Sequence, residues 1–167
     1  MRLRLDRQTS PIGTMMLVHD ESGALVALDF EDFQDRMARL LRLRHGRVEL
    51  SDGAAPAKTR EALDRYFAGD FKALEAIETR TGGTPFQHAA WEVLRAIPPG
   101  ETRSYGAQAI AIGRPTASRA VGLANGANPV AIVIPCHRVI GASGALTGYG
   151  GGLWRKRWLL DHEEAST

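Results

Sequence analysis

The sequence has one cysteine, Cys136, among 167 residues. An internal disulfide is therefore excluded, a thiolate zinc site within the chain is disfavoured, and a free thiol fits a reducing compartment. No apolar run reaches about 18 residues, which excludes a spanning helix. The start, Met1-Arg2-Leu3-Arg4-Leu5-Asp6, alternates charge and hydrophobe and does not read as a signal peptide. These absences predict a soluble, cytoplasmic protein. Acidic residues are missing from Thr102 to Leu160, a stretch that carries Arg103, Arg114, Arg119, Arg138, Arg155, Lys156 and Arg157. The net charge of +2 is accordingly uneven, −1 over residues 1–84 and +3 over residues 85–167. Spaced cations without acids suit a polyanion partner, whereas a plain solvated face is the alternative for any single arginine.

What is present, 44% hydrophobic and 24% charged residues, suffices for one globular domain or two small lobes. Short apolar segments at Arg2–Asp6, Thr14–Asp20 and Ala24–Phe30, separated by Gly-bearing turns, predict an antiparallel meander. Asp35–His45 places Met37, Leu40 and Leu41 at helical spacing and ends near Gly46, Arg47–Leu50 adds a further strand, and Ala57–Phe67 forms a second helix. His19 and His45 read as surface residues without a role. Thr79–Gly83 is a polar linker, so the expected division is a supporting lobe over 1–80 and a second lobe over 81–167.

The second lobe opens on Thr84-Pro85-Phe86-Gln87, which combines an N-cap, a proline at the first helical position and a capping-box glutamine. That helix should reach Ile97, with Trp91 packing between the lobes. Helices from Ser104 or Tyr105 to Ile112 and from Pro115 to Asn125-Gly126, joined at Gly113, predict a helix-turn-helix or a plain helical hairpin. The second of them is rich in small residues and capped in a left-handed conformation. Val130–Ile134 should be a buried strand that delivers Cys136. Glycine loops follow on both sides of Leu146, the second framing Tyr149, and a last helix, Leu153–Glu164, turns Trp154, Trp158, Leu159 and Leu160 inward. The fold class is α+β.

A cysteine nucleophile works best when a histidine takes its proton and a third group orients that histidine. Cys136, His137 and Glu163 supply such a set, with His162 as a rival. Cys136 as a buried packing residue is the plain alternative.

These residues resemble the O6-alkylguanine-DNA alkyltransferases, the methylated-DNA–protein-cysteine methyltransferases. The resemblance is carried by Asn128-Pro129, Ile134-Pro135-Cys136-His137-Arg138-Val139, Gly148-Tyr149-Gly150-Gly151-Gly152, Arg119-Ala120-Val121-Gly122 and Gly100-Glu101-Thr102-Arg103-Ser104-Tyr105-Gly106. It implies a winged-helix-like helix-turn-helix lobe that binds double-stranded DNA through the minor groove and flips O6-alkylguanine, with O4-alkylthymine as a second substrate, into a pocket. Cys136 is then the alkyl acceptor, His137 the base acting through a water, Glu163 its orienter and Tyr105 the proton donor beside the target phosphate. Asn128 braces the turn before the active site, and Arg119 enters the base stack. Thr116, Ala117, Ser118, Ala120, Gly122 and Arg138 complete the DNA-binding set, while Val139, Tyr149 and Gly150 join Cys136 in the pocket.

The resemblance further implies single turnover, because a thioether has no acidic proton and is a poor leaving group. It implies no cofactor, no metal, no membrane and no obligate protein partner, hence a monomer. Where some members have a proline or a serine this chain has Ala131 and Gly150, and the cysteines of a structural zinc site in some members are absent. Two other classes compete: a DNA-lesion sensor that does not repair, and a Cys-His-Glu hydrolase or acyltransferase.

Overall fold

Leu3 and Leu5 alternate with Arg2 and Arg4, which sets one face of β1 (Arg2–Ser10) toward a core and the other toward water. A tight turn follows, in which Ser10 Oγ donates to Gly13 O at 2.7 Å. β2 (Gly13–His19) returns antiparallel to β1, and β3 (Leu25–Phe30) pairs antiparallel with β2. The computed structural model describes residues 1–165 and adds a fourth strand to this meander. β4 (Glu49–Asp52) lies parallel to β1, so the order is β3-β2-β1-β4. A parallel neighbour needs a crossover; α1 (Gln34–His45) supplies it and ends at Gly46, whose φ of 69° favours glycine.

Met37 and Leu41 of α1 form one cluster with Leu3, Leu5, Met16, Val18, Val26 and Ala27. Full burial of side chains of this size contributes about 1.5–3 kcal/mol each. α2 (Ala57–Phe67) buries Leu63 and Tyr66, and Gln8 Nε2 ties it to β1 by donating to Arg60 O (3.1 Å) and Asp64 Oδ1 (2.7 Å). A 3-10 turn over Phe71–Ala76 had no periodic signal in the sequence. His19, expected at the surface, is buried, and burial lowers its pKa.

The chain divides into two compact units, Met1–Gly82 with Pro129–Val133, and Gly83–Asn128 with the chain from Ile134 onward. The first unit thus takes five residues from a segment expected in the second lobe. These residues correct the expected strand. Leu28 N donates to Pro129 O (3.0 Å) and Ala131 N to Leu28 O (3.1 Å), a single bridge at Val130. The ladder stops there because Ile132 has φ 71°, a left-handed conformation that a β-branched residue rarely adopts.

In the second unit, Thr84 Oγ1 accepts from Gln87 N (3.1 Å) while Gln87 Oε1 accepts from Thr84 N (3.0 Å), the reciprocal cap that starts α3 (Pro85–Ala96). Trp91 is buried and its Nε1 donates to Ala124 O at 2.9 Å, so its hydrogen bond lies inside this unit. α4 (Tyr105–Ala111) is capped by Ser104 and stops before Gly113, φ 76°. α5 (Ser118–Gly126) begins three residues later than expected. Arg114–Ala117 is spent on a turn closed by Ala117 N and Arg114 O (2.9 Å), which puts Thr116 and Ala117 ahead of the helix. Its exit is right-handed, with Ala127 at φ −91°, and not a left-handed cap.

Arg103–Ser104 (β5) and Val139–Ile140 (β6) form a short parallel pair that the sequence did not announce. α6 (Leu153–Ala165) turns Arg155, Lys156, Leu159 and Glu163 inward and leaves Trp154 56% exposed, which reverses the inward placement expected for Trp154. Among the described residues no helix is long and apolar enough to cross a membrane.

Candidate active site

Pro135, at φ −83° and ψ 66°, and the donation of Cys136 N to Ile134 O (2.8 Å) form an inverse γ-turn. Asn128 Nδ2 donates to the same Ile134 carbonyl at 2.8 Å, a side-chain contact in place of a strand neighbour. Cys136–Arg138 then makes one turn of 3-10 helix. Successive side chains on such a turn leave about 120° apart, so Cys136, His137 and Arg138 serve three different surroundings from adjacent positions.

Cys136 is half-buried and lines a cavity of about 140 Å³. Tyr105 lines it too, with Gly122, Asn125 and Gly126 from α5 and Gly148, Tyr149 and Gly150 from the loop before α6. Val139 does not; it is fully buried in β6.

His137 points away from solvent, 0% exposed, with Nε2 2.7 Å from Glu163 Oε2. Arg138 grips the same carboxylate through Nε (2.8 Å to Oε1) and Nη2 (3.1 Å to Oε2), and its Nη1 donates to Ile97 O (2.7 Å). Arg138 is 5% exposed, so its expected place in the DNA-binding set is corrected: its cation is consumed by Glu163 inside the unit. Burial opposes ionisation of Glu163, but His137 and Arg138 outweigh it and hold the carboxyl far below the usual carboxylate range. Burial also lowers the pKa of His137, helped by Arg138 and Lys156 and opposed by Glu163.

A neutral imidazole beside an ionised carboxylate must keep its proton on Nε2, since the carboxylate only accepts. Nδ1 is left as a lone pair, and it is a buried atom with no hydrogen-bond partner among the described residues. His162, the rival, stacks on Trp158 with ring centroids 4.6 Å apart.

Lys156 is fully buried, and its Nζ donates to Thr147 O (2.8 Å) and Gly148 O (3.2 Å). Burial lowers its pKa, and attraction to an ionised Cys136 opposes that shift. Thr147 O also accepts from Tyr105 OH (3.2 Å), which in turn accepts from Thr147 Oγ1 (3.1 Å). One backbone carbonyl therefore holds both the buried Lys156 ammonium and the phenol of Tyr105, a residue that lines the cavity.

On α5, Arg119, Ala120 and Leu123 are exposed, and Leu123 is 77% so. Arg119 has no ion-pair or hydrogen-bond partner among the described residues. Arg103 pairs with Glu101, and Arg114 stacks over Phe86. Among the described residues no group of three or more His, Cys, Asp and Glu is placed to hold a metal ion.

Comparison with known proteins decides the family. The model of the 6-O-methylguanine DNA methyltransferase ribonuclease-like domain matches residues 8–81, and that of the DNA binding domain of the same proteins matches residues 85–165. The chain belongs to the methylated-DNA–protein-cysteine methyltransferase family. It is similar to the methyltransferase of that name from Salmonella typhimurium, 48% identical over 165 residues that cover 98% of this chain and 96% of that protein. The Shigella flexneri protein is 44% identical with the same coverage. Among solved structures, Mycobacterium tuberculosis OGT in complex with DNA superposes with a TM-score of 0.82 at 43% identity, covering 99% of this chain and 94% of that one. This alkyltransferase accordingly acts in DNA repair by alkyl transfer to a cysteine, on an α+β fold with a ribonuclease-like N-terminal domain.

Sequence reasoning missed Lys156, Asn125, Gly126 and Gly148 of this alkyltransferase. The signal for Lys156 was present: it shares one helical face with Leu159 and Glu163, at i, i+3 and i+7. It stayed hidden because Lys156 sits among Arg155 and Arg157, in a run that reads as solvated charge.

Proposed function

We propose that Cys136 is the alkyl acceptor of this methyltransferase and that His137 and Glu163 prepare it. The observation that carries the reading is that Cys136 lines the cavity while His137 commits Nε2 to Glu163. The imidazole lone pair on Nδ1 is then the base, and a water relays to it the proton of the Cys136 thiol. Lys156 stabilises the thiolate by charge, which suits its buried position.

The sulfur attacks the O6-alkyl carbon of a flipped guanine, forming the S–C bond as the C–O6 bond breaks with its electron pair on O6. Tyr105 donates a proton toward the departing base and is reprotonated, so the thiol hydrogen ends on guanine and no other reactant is needed. The product thioether has neither an acidic proton nor a good leaving group, which makes the protein a single-turnover reagent. Tyr149 and Gly150 line the base pocket, the backbone of Gly150 reading its edge.

Asn128 braces the turn ahead of Cys136 through Ile134 O. Ser118, Ala120 and Gly122 let α5 approach the minor groove of double-stranded DNA closely, with Thr116 and Ala117 at its entrance. Arg119, exposed and unpaired, enters the stack. The protein works in the cytoplasm as a monomer. A DNA duplex with labelled O6-methylguanine tests the reading: label moves to protein and saturates at one equivalent. Continued turnover would instead favour a hydrolase, and no transfer a sensor.

A further inference from the structure

The wall that α5 gives to the cavity carries a chemistry the transfer step leaves unused. Gly122, Asn125 and Gly126 occupy i, i+3 and i+4, one face of the helix. With glycine at two of these places, Asn125 is the only one of the three residues α5 adds to the cavity that has a side chain. A Cβ at Gly126 would meet nothing within 4 Å, so the next position along α5 is open.

Asn125 is 8% exposed and held in a closed ring with Gln108, which is fully buried. Asn125 Nδ2 donates to Gln108 Oε1 (2.8 Å), and Gln108 Nε2 donates to Asn125 Oδ1 (2.9 Å). Gln108 Nε2 also donates to Ala90 O (3.1 Å). That carbonyl can only accept, so it fixes which end of Gln108 is nitrogen, and the ring then fixes Asn125. Both N–H groups of Gln108 are spent. Asn125 spends one of two, and its second N–H has no acceptor among the described residues. A nearly buried donor is thus held rigidly by Gln108 on a residue that lines the cavity Cys136 shares.

We infer that Asn125 is a specificity-determining residue that selects O6-alkyl groups bearing a hydrogen-bond acceptor, such as 2-hydroxyethyl, over hydrocarbon groups of the same length. The inference rests on the alkyl-transfer reading of Cys136. A hydrocarbon against this wall strips water from the Asn125 N–H and returns nothing, whereas an acceptor oxygen replaces the lost bond. The chemistry is the same for both: the S–C bond forms, the C–O6 pair stays on O6, and the thiol hydrogen ends on guanine. The acceptor oxygen lies beyond the reacting carbon and takes no part.

The test compares single-turnover rate constants on matched duplexes carrying O6-(2-hydroxyethyl)guanine or O6-propylguanine. The ratio of the two in wild type should exceed the ratio in Asn125→Leu by about tenfold, the value of one neutral hydrogen bond. Asn125→Leu leaves Gln108 unpaired, so Gln108→Leu/Asn125→Leu, which removes both partners, is measured beside it and should show the same lost preference. A merely structural role slows both substrates equally and leaves the ratio unchanged, and that result overturns the inference. Unchanged ratios with transfer from O6-methylguanine intact overturn this inference alone. No transfer from O6-methylguanine to wild-type Cys136 overturns the alkyl-transfer reading, and this inference with it.

Discussion

Glu163 receives His137 on one oxygen at 2.7 Å and Arg138 on both, with all three side chains buried. A single carboxylate thereby sets the tautomer of a histidine and neutralises an arginine. The two jobs are separable by experiment.

Glu163→Ala leaves the Arg138 cation buried without its partner. Removing one member of a buried ion pair costs about 3–5 kcal/mol, and urea unfolding should show a loss of that size. Glu163→Gln keeps a group that can accept from Arg138 but weakens its hold on a histidine proton, so it should slow alkyl transfer more than it affects folding. Arg138→Ala should likewise destabilise while leaving the salt dependence of DNA binding unchanged. A slope reduced by about one phosphate contact would return Arg138 to the DNA surface.

Stability should fall with acid in two stages. Below the ordinary histidine value of 6.5 an unfolded chain protonates His137 while the folded one resists, so the unfolded state gains protons first and stability drops as pH falls. Glu163, also lowered, acts in the same direction below its ordinary value of 4.5. Both contributions are complete near pH 8. His19 and His45, lowered by burial, add to the upper stage, so urea midpoints from pH 8 to 4 are compared between wild type and His137→Asn, which should be less sensitive between pH 7 and 5. Equal slopes would contradict a neutral, buried His137.

Lys156→Met should cut the transfer rate by at least about tenfold at neutral pH, since each pKa unit of thiolate preference is a factor of ten in thiolate fraction. Raising the pH should restore part of that loss in the variant and speed wild type by less. Loss without pH rescue would reduce Lys156 to a tie for the Thr147 and Gly148 carbonyls.

The elements with strong local signals were legible in the sequence. The Thr84–Gln87 cap and α2 appear where periodicity put them, because local hydrogen bonds and an apolar stripe determine both. Pro129–Ile134 was not legible. Its apolar residues satisfy a strand pattern, but hydrophobic periodicity carries no sign of the left-handed Ile132 or of the Asn128 side chain reaching Ile134 O. α6 misled for the opposite reason: its inward face carries Arg155, Lys156 and Glu163, so hydrophobicity placed Trp154 on the wrong side. Cys136, His137 and Glu163 were found as residue types with complementary chemistry, while Lys156 and the Gln108–Asn125 ring depend on burial that one sequence does not report.

Arg119→Ala should slow repair in duplex DNA far more than reaction with free O6-alkylguanine, because only the duplex requires the stack to be filled. Its salt slope for DNA binding should fall by no more than about one. Equal losses on both substrates would move Arg119 from the stack to a general electrostatic role.

The most direct test is the mass of the intact protein after incubation with duplex DNA containing O6-methylguanine, followed by mapping of the peptide that holds Cys136. The account predicts one methyl in place of one hydrogen, located on Cys136, at one equivalent per chain and absent in Cys136→Ala. Unchanged mass with the thiol shown to be free, or a methyl on any other residue, would contradict it.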